Sequence, residues 1–175
     1  MKIVYTIGYG GRDLKELLEI LKHYSIQAVI DIRRWNTSRR IPVFSGYNLA
    51  RTLSENKYEY YWIPELGGYR KFNVDVEDYG IAKCFESMGF RAYATYITMK
   101  PTVKPHLEKL VEIASLKTST LLCREKIPWL CHRKILADYL LARGFRVLHI
   151  IREDYIVEHK LSKCAVIANG ELKYY

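Results

Sequence analysis

A chain of 175 residues, 49% hydrophobic and 27% charged, is one domain's worth, long enough to bury about 70% of its unfolded surface without a disulfide or metal. Such a composition excludes a low-complexity or disordered protein beyond the ends. The formal charge of +9 points to phosphates, nucleic acid or an anionic membrane surface, with a solvated basic face as the plain alternative.

The amino terminus, MKIVYTIGYGG, turns into a glycine loop too soon for a secretory signal. No stretch is long and apolar enough to span a bilayer, so a cytoplasmic protein without membrane contact is expected. There Cys84, Cys123, Cys131 and Cys164 are expected to be reduced unless they do redox chemistry. Gln27 is the only glutamine, and Tyr, Ile, Lys and Arg are plentiful, a bias shared with proteins that work hot.

In chain order, residues 2–7 form a short β-rich run, followed by GYGGR and by Asp13, whose carboxylate can cap a helix with Glu16 three residues on. Leu14, Leu17, Leu18 and Leu21 then repeat at helical spacing. IQAVIDIR, residues 26–33, is a nearly continuous apolar run ending in charge, as expected of a parallel strand covered on both faces. A weaker helix over 47–56 leads to a third strand, YEYYWI, at 58–63. A long loop follows, then helices predicted over 90–99 and 103–116, the latter with Val103, Leu107, Leu110, Val111 and Ala114 on its apolar face. STLLC is the fourth strand, residues 133–142 the next helix with Gly144 as its stop, and RVLHII the fifth strand. Asn169-Gly170 between apolar runs predicts a terminal hairpin over 164–175. The expectation is a single α/β domain over 1–175, core 3–150, with a mainly parallel open sheet and helices on both faces.

Ligands of such sheets sit at the carboxyl ends of the strands. Each of those ends is followed here by a cationic loop. Gly8, Tyr9, Gly10, Gly11 and Arg12 follow the first, and Arg33, Arg34, Arg39 and Arg40 the second, with Ser38 among them. Gly67, Gly68, Arg70 and Lys71 follow the third, and Arg124, Lys126, Arg133 and Lys134 the fourth. Independent surface charges would scatter over both ends of the sheet, so this gathering predicts an anion site. The glycines are expected to let backbone N–H groups approach phosphate oxygens. Gly8, Gly10 and Asp13 resemble a dinucleotide fingerprint only superficially, because Asp13 replaces the third glycine, and no cofactor is expected. Trp35 among the arginines can stack on a base or anchor its loop, and the anchor is favoured.

LLCREKIPWLCHRKILADYL places Cys123 at a strand end and Cys131 at the opening of a helix, beside His132, Arg133 and Lys134. A thiol so placed has its thiolate favoured, making Cys131 the best nucleophile candidate; packing of both cysteines is the alternative. Metal is disfavoured, because Cys131 and His132 would point about 100° apart on a helix and the spacing is not that of a zinc knuckle. A phosphatase-like loop needs arginine six positions beyond its cysteine, where Trp129 and Ala137 stand instead. Glu125 and Asp31 can act as bases or orient His132 and the arginines, and among so many cations orientation is favoured.

Taken together, YTIGYGGR, VIDIRRWNTSRR, LGGYR, FRAYATYI, LLCREKIPWLCHRKILADYL and VLHI resemble the domain of unknown function 488 family over nearly 3–150. The resemblance implies a single α/β domain whose recurrent Cys, His and Arg positions fall on Cys123, Cys131, His132 and Arg133. It also implies that Asp31, Arg33, Ser38, Gly67 and Gly68 line one cleft. Many members carry His and Ser where Tyr9 and Gly10 stand here, and the resemblance carries no reaction. The expected site therefore has Cys131, His132, Cys123 and Glu125 as its reactive group. Gly8, Tyr9, Arg12, Asp31, Arg33, Ser38, Arg39, Gly67, Gly68, Arg70 and Arg133 are expected to bind a phosphate-bearing small molecule or nucleic acid. A non-catalytic nucleic-acid-binding module and a thiol redox sensor remain as alternatives.

Overall fold

The computed structural model describes residues 1–175. Eight strands and five α-helices alternate: β1 Ile3–Gly8, α1 Leu14–His23, β2 Ala28–Asp31, α2 Gly46–Glu55, β3 Glu59–Trp62, α3 Met88–Met99, α4 Lys104–Leu116, β4 Ser119–Cys123, α5 Arg133–Ala142, β5 Arg146–Arg152, β6 Tyr155–Glu158, β7 Ala165–Ala168 and β8 Glu171–Tyr174. Six strands form one sheet in the order β3-β2-β4-β1-β5-β6, parallel except for β6. The predicted α/β class, parallel sheet and terminal hairpin are all present. The unpredicted element is β6, a largely exposed edge strand whose YIVE run is too short to stand out from its loop.

Apolar runs become buried strands by alternating between two cores. Leu122, Val29 and Ile7 face a layer with Leu17, Ile20 and Leu21 of α1 and Leu49 and Leu53 of α2. Leu121, Ile30 and Val4 face the larger layer beneath α3, α4, α5 and the hairpin. Asp13 caps α1 as predicted, its Oδ1 accepting the Glu16 N–H at 2.7 Å. Asn169 and Gly170 both have positive φ, 53° and 75°, the conformation a two-residue hairpin turn requires.

From β1 the chain crosses to β2 over the α1 face, and from β4 to β5 over the α5 face. The direction of winding therefore reverses between the neighbours β1 and β4, and a crevice opens where they end. Gly8 pairs with Cys123 and Asp31 with Leu122, which brings three strand ends to one level.

The four cysteines do not share one state. Cys84, in the loop before α3, and Cys164, just before β7, form a disulfide across 80 residues of chain. This corrects the expectation of four reduced thiols, since only Cys123 and Cys131 are free. Spacing in sequence gave no sign of the pair because the hairpin folds back onto α3.

Candidate active site

The crevice is a cavity of about 700 Å³, within the range of small-molecule sites. Its wall is built from the loops after β1, β2, β3 and β4 and from the start of α3. Cys123, Cys131, His132 and Glu125 all line it, as do Tyr9, Arg33, Ser38, Arg39 and Gly68. Nine of the residues expected from sequence are thus brought together.

The two thiols lie at the floor. Cys123 Sγ and Cys131 Sγ are 2.6 Å apart, and His132 Nδ1 stands 3.6 Å from Cys131 Sγ and 4.0 Å from Cys123 Sγ. The other ring nitrogen of His132, Nε2, is 3.1 Å from the carbonyl of Ile32, an acceptor only, so it carries the proton. In the neutral ring Nδ1 is then a free acceptor facing both sulfurs. Glu125 Oε2 lies 3.4 Å from Cys123 Sγ.

The two thiols have unequal proton affinities. Burial opposes ionisation of Cys131, but the hydrogen bond from Cys123, the Arg133 charge and the Arg133 backbone N–H outweigh it and lower its pKa. Cys123 is pushed well above the ordinary thiol by its bond to Cys131, by burial and by the neighbouring charge. Cys131 lies two residues before the start of α5 and is extended (φ −131°, ψ 148°), not helical as expected. The 100° separation used to disfavour a metal therefore does not apply, and the donor atoms of Cys123, Cys131 and His132 fall within 4.8 Å of one another.

Arg33 is the cation built most firmly into the wall. Its Nε and Nη2 grip both oxygens of buried Asp31 at 2.9 and 2.7 Å, and Tyr60 donates its hydroxyl to the same carboxylate. Burial alone would weaken the Arg33 charge, yet Asp31 raises its pKa above the ordinary arginine value. Asp31 thus lies behind the wall as the orienting residue favoured from sequence. The remaining Nη1 of Arg33 is buried and has no hydrogen-bond partner. Arg34, Arg39, Arg40 and Arg124 add further charge to the wall.

Three expected anion ligands are corrected. Arg12 donates to the carbonyls of Gly8 and Ile151 and to Glu16, buried away from the cavity. Arg70 donates to the carbonyls of Gly67, Pro64 and Glu65, reaches Asp75 and covers the Tyr96 ring at 4.4 Å. Arg133 is fully buried, its Nε on Thr6 Oγ1 at 3.1 Å and its two Nη on the carbonyls of Glu125 and Lys126. In each case the guanidinium is committed to two or three backbone carbonyls and one side-chain acceptor, so it fastens backbone and has little left for a ligand.

The glycines serve close approach rather than phosphate. A Cβ on Gly8 would stand 1.8 Å from the Glu125 carbonyl, and one on Gly67 2.3 Å from the Arg34 backbone. The N–H groups of Tyr9 and Gly10 are taken by the carbonyls of Cys123 and Arg124. Gly8 and Gly67, like Asp31, do not line the cavity. Gly68 does, and a Cβ there would be 2.8 Å from His132 Nδ1. Because Ile32 pins the far side of the ring, Gly68→Ala must displace His132. Iodoacetamide labelling of Cys131 at neutral pH, read by peptide mass, is expected to slow about a hundredfold, the lower end of what a positioned proton acceptor contributes. An unchanged rate would remove His132 from any role in activating the thiol.

One feature departs from the favoured expectation and another was not foreseen. Trp35, favoured there as an anchor, is 59% exposed at the cavity rim, with the Arg34 guanidinium 5.0 Å from its ring and exposed Tyr69 at 6.0 Å. Behind the floor, a chain of contacts joins Thr6 Oγ1 to His149, His149 to His159, and His159 to fully buried Asp138 at 2.7, 3.0 and 2.8 Å. Burial, with His159 and Arg133 nearby, lowers His149 to about 3, so it remains neutral and continues the network that orients Arg133. Register places Thr6 beside His149, and only the folded sheet reveals that adjacency.

A doubly wound α/β domain with a paired-thiol, arginine-walled cleft at its switch point is the class of protein that fold and site define. The sequence matches the Domain of unknown function DUF488 over residues 13–140, and the chain belongs to that family. No curated protein and no solved structure matches the chain.

Proposed function

We propose that the protein holds a phosphate-bearing ligand, a nucleotide or nucleic acid, in this cleft, with Cys131 as the nucleophile and His132 as its proton acceptor. The observation that carries the reading is Arg33: a buried guanidinium, locked by Asp31 and with its Nη1 unpaired, on a residue of the wall that also holds Cys131. A buried unpaired donor is costly unless an acceptor arrives, and a phosphate oxygen supplies one. Arg34, Arg39, Arg40 and Arg124 favour the same charge, and Glu125 is the single carboxylate on the wall.

A second reading, a non-catalytic nucleic-acid-binding module, is supported by exposed Trp35 and Tyr69, which offer a stacking rim for bases. The test for both is anisotropy of a labelled single-stranded oligonucleotide and a labelled nucleotide across a salt series. Arg39→Ala is expected to flatten the log-log salt slope for the oligonucleotide by about 0.7, one phosphate contact. Arg33→Lys keeps a charge beside Asp31 but removes the free Nη1, and is expected to weaken binding tenfold or more, about 1.5–3 kcal/mol. Affinity indifferent to both substitutions would overturn the cleft as an anion site. Binding that persists with an unreactive Cys131 would favour the module.

A further inference from the structure

We propose that Cys131 and Cys123 are an attacking and a resolving thiol, cycling between dithiol and disulfide by exchange with a disulfide-bearing co-reactant that enters the cleft. The inference rests on the reading of Cys131 as nucleophile and adds to it a partner and a class of reaction.

Geometry separates this from the other uses of two cysteines. Packed thiols that merely fill space stay near van der Waals separation, whereas these sulfurs are 2.6 Å apart. A tetrahedral zinc with sulfur bonds of about 2.3 Å would hold two thiolates roughly 3.7 Å from each other, so the pair would have to open by about 1 Å to grip it. Closing to the bond length of about 2.05 Å takes roughly half that movement. Both cysteines, though buried, also belong to the cavity wall, which a purely structural disulfide would not require.

The surroundings assign the two roles. Cys131 Sγ receives the Arg133 backbone N–H at 3.5 Å and faces His132 Nδ1, which takes the thiol proton and, as the imidazolium, stabilises the anion that attacks. Cys123 has Glu125 Oε2 at 3.4 Å, positioned to take its proton when its turn comes. In the first step the Cys131 thiolate attacks one sulfur of R–S–S–R, forming Cys131–S–S–R and expelling RS⁻, which takes up a proton. In the second, Cys123 gives its proton to Glu125 and attacks Cys131 Sγ, forming the Cys123–Cys131 bond and releasing the second RS⁻. Two protein thiols are oxidised and one small disulfide is reduced to two thiols. An excess of small thiol reverses both steps.

The test is incubation of the reduced protein with bis(2-hydroxyethyl) disulfide, a small uncharged probe, followed by peptide mapping under non-reducing conditions. Wild type is expected to give a Cys123–Cys131 linked peptide and no lasting adduct, and the linked peptide is lost in either Cys→Ser variant. Cys123→Ser is expected to accumulate one mercaptoethanol adduct on Cys131, while Cys131→Ser stays unmodified at Cys123. An adduct on Cys131 of wild type that never resolves would overturn the pair while leaving the nucleophile. No reaction at either sulfur would overturn both, and oligonucleotide affinity, measured on the same samples, reports the anion site independently. Stoichiometric zinc that must be stripped before any oxidation occurs would also overturn the proposal.

Discussion

Replacing both Cys84 and Cys164 with Ser is expected to lower the melting temperature by roughly 10 to 15 °C. Cross-linking residues 80 apart removes loop-closure entropy from the unfolded chain equivalent to about 4 to 5 kcal/mol. A domain of this length shifts by about 2 to 4 °C for each kcal/mol. The bond ties the loop before α3 to the start of the hairpin, whose Leu172 and Tyr174 are buried against the larger core. Its loss therefore also frees the terminal segment to fray. Differential scanning calorimetry on the double variant checks this, and Cys123→Ser serves as the control for a general effect of cysteine removal. An unchanged transition would mean that the unfolded chain was already compact around these two segments.

Arg133→Met carries the other large expected effect, a destabilisation of about 3 to 5 kcal/mol. Methionine replaces the stem but leaves the carbonyls of Glu125 and Lys126 without their donors and Thr6 without the Arg133 Nε. Each such charge-assisted bond contributes about 1.5 to 3 kcal/mol, and three acting on one loop do not add fully. The same change removes a positive charge that lowers the pKa of Cys131. Denaturant unfolding gives the stability loss. The pH dependence of Cys131 labelling in the folded variant gives the second effect, expected as a profile moved to higher pH, because the thiolate has lost a stabilising cation. Oligonucleotide affinity is expected to fall far less than for Arg33→Lys, since Arg133 points into the loop and away from the cavity. Equal losses in the two variants would count against that division of labour.

The division among the arginines bounds what charge can say in a sequence. Arg12, Arg33, Arg70 and Arg133 look alike as letters after strand ends, yet three of them fasten loops and one keeps a guanidinium nitrogen unpaired. What separates them is where the backbone carbonyls lie. The Ile151 carbonyl that takes Arg12 is 139 residues away in sequence, and the Glu125 carbonyl that takes Arg133 is positioned by a glycine at residue 8. Trp35 shows the reverse case. A lone tryptophan is ordinarily an anchor, but here the loop turns it outward and Arg34 covers it.

Local patterns did determine a good deal by themselves. Continuous apolar runs of four to eight residues, separated by amphipathic segments with an Asp cap or a Gly stop, specify buried parallel strands and covering helices, because both periods are set by backbone geometry. The Asn-Gly turn specifies the hairpin for the same reason. The convergence of Cys123, Cys131 and His132 with Arg33 also followed, since every parallel strand delivers its following loop to one end of the sheet. Tertiary structure alone decided which thiols pair, which guanidiniums remain free and which glycines make room for a ring. Those outcomes depend on contacts between segments up to 140 residues apart, where a fraction of an ångström separates a bonded group from an open one and no local pattern records the distance.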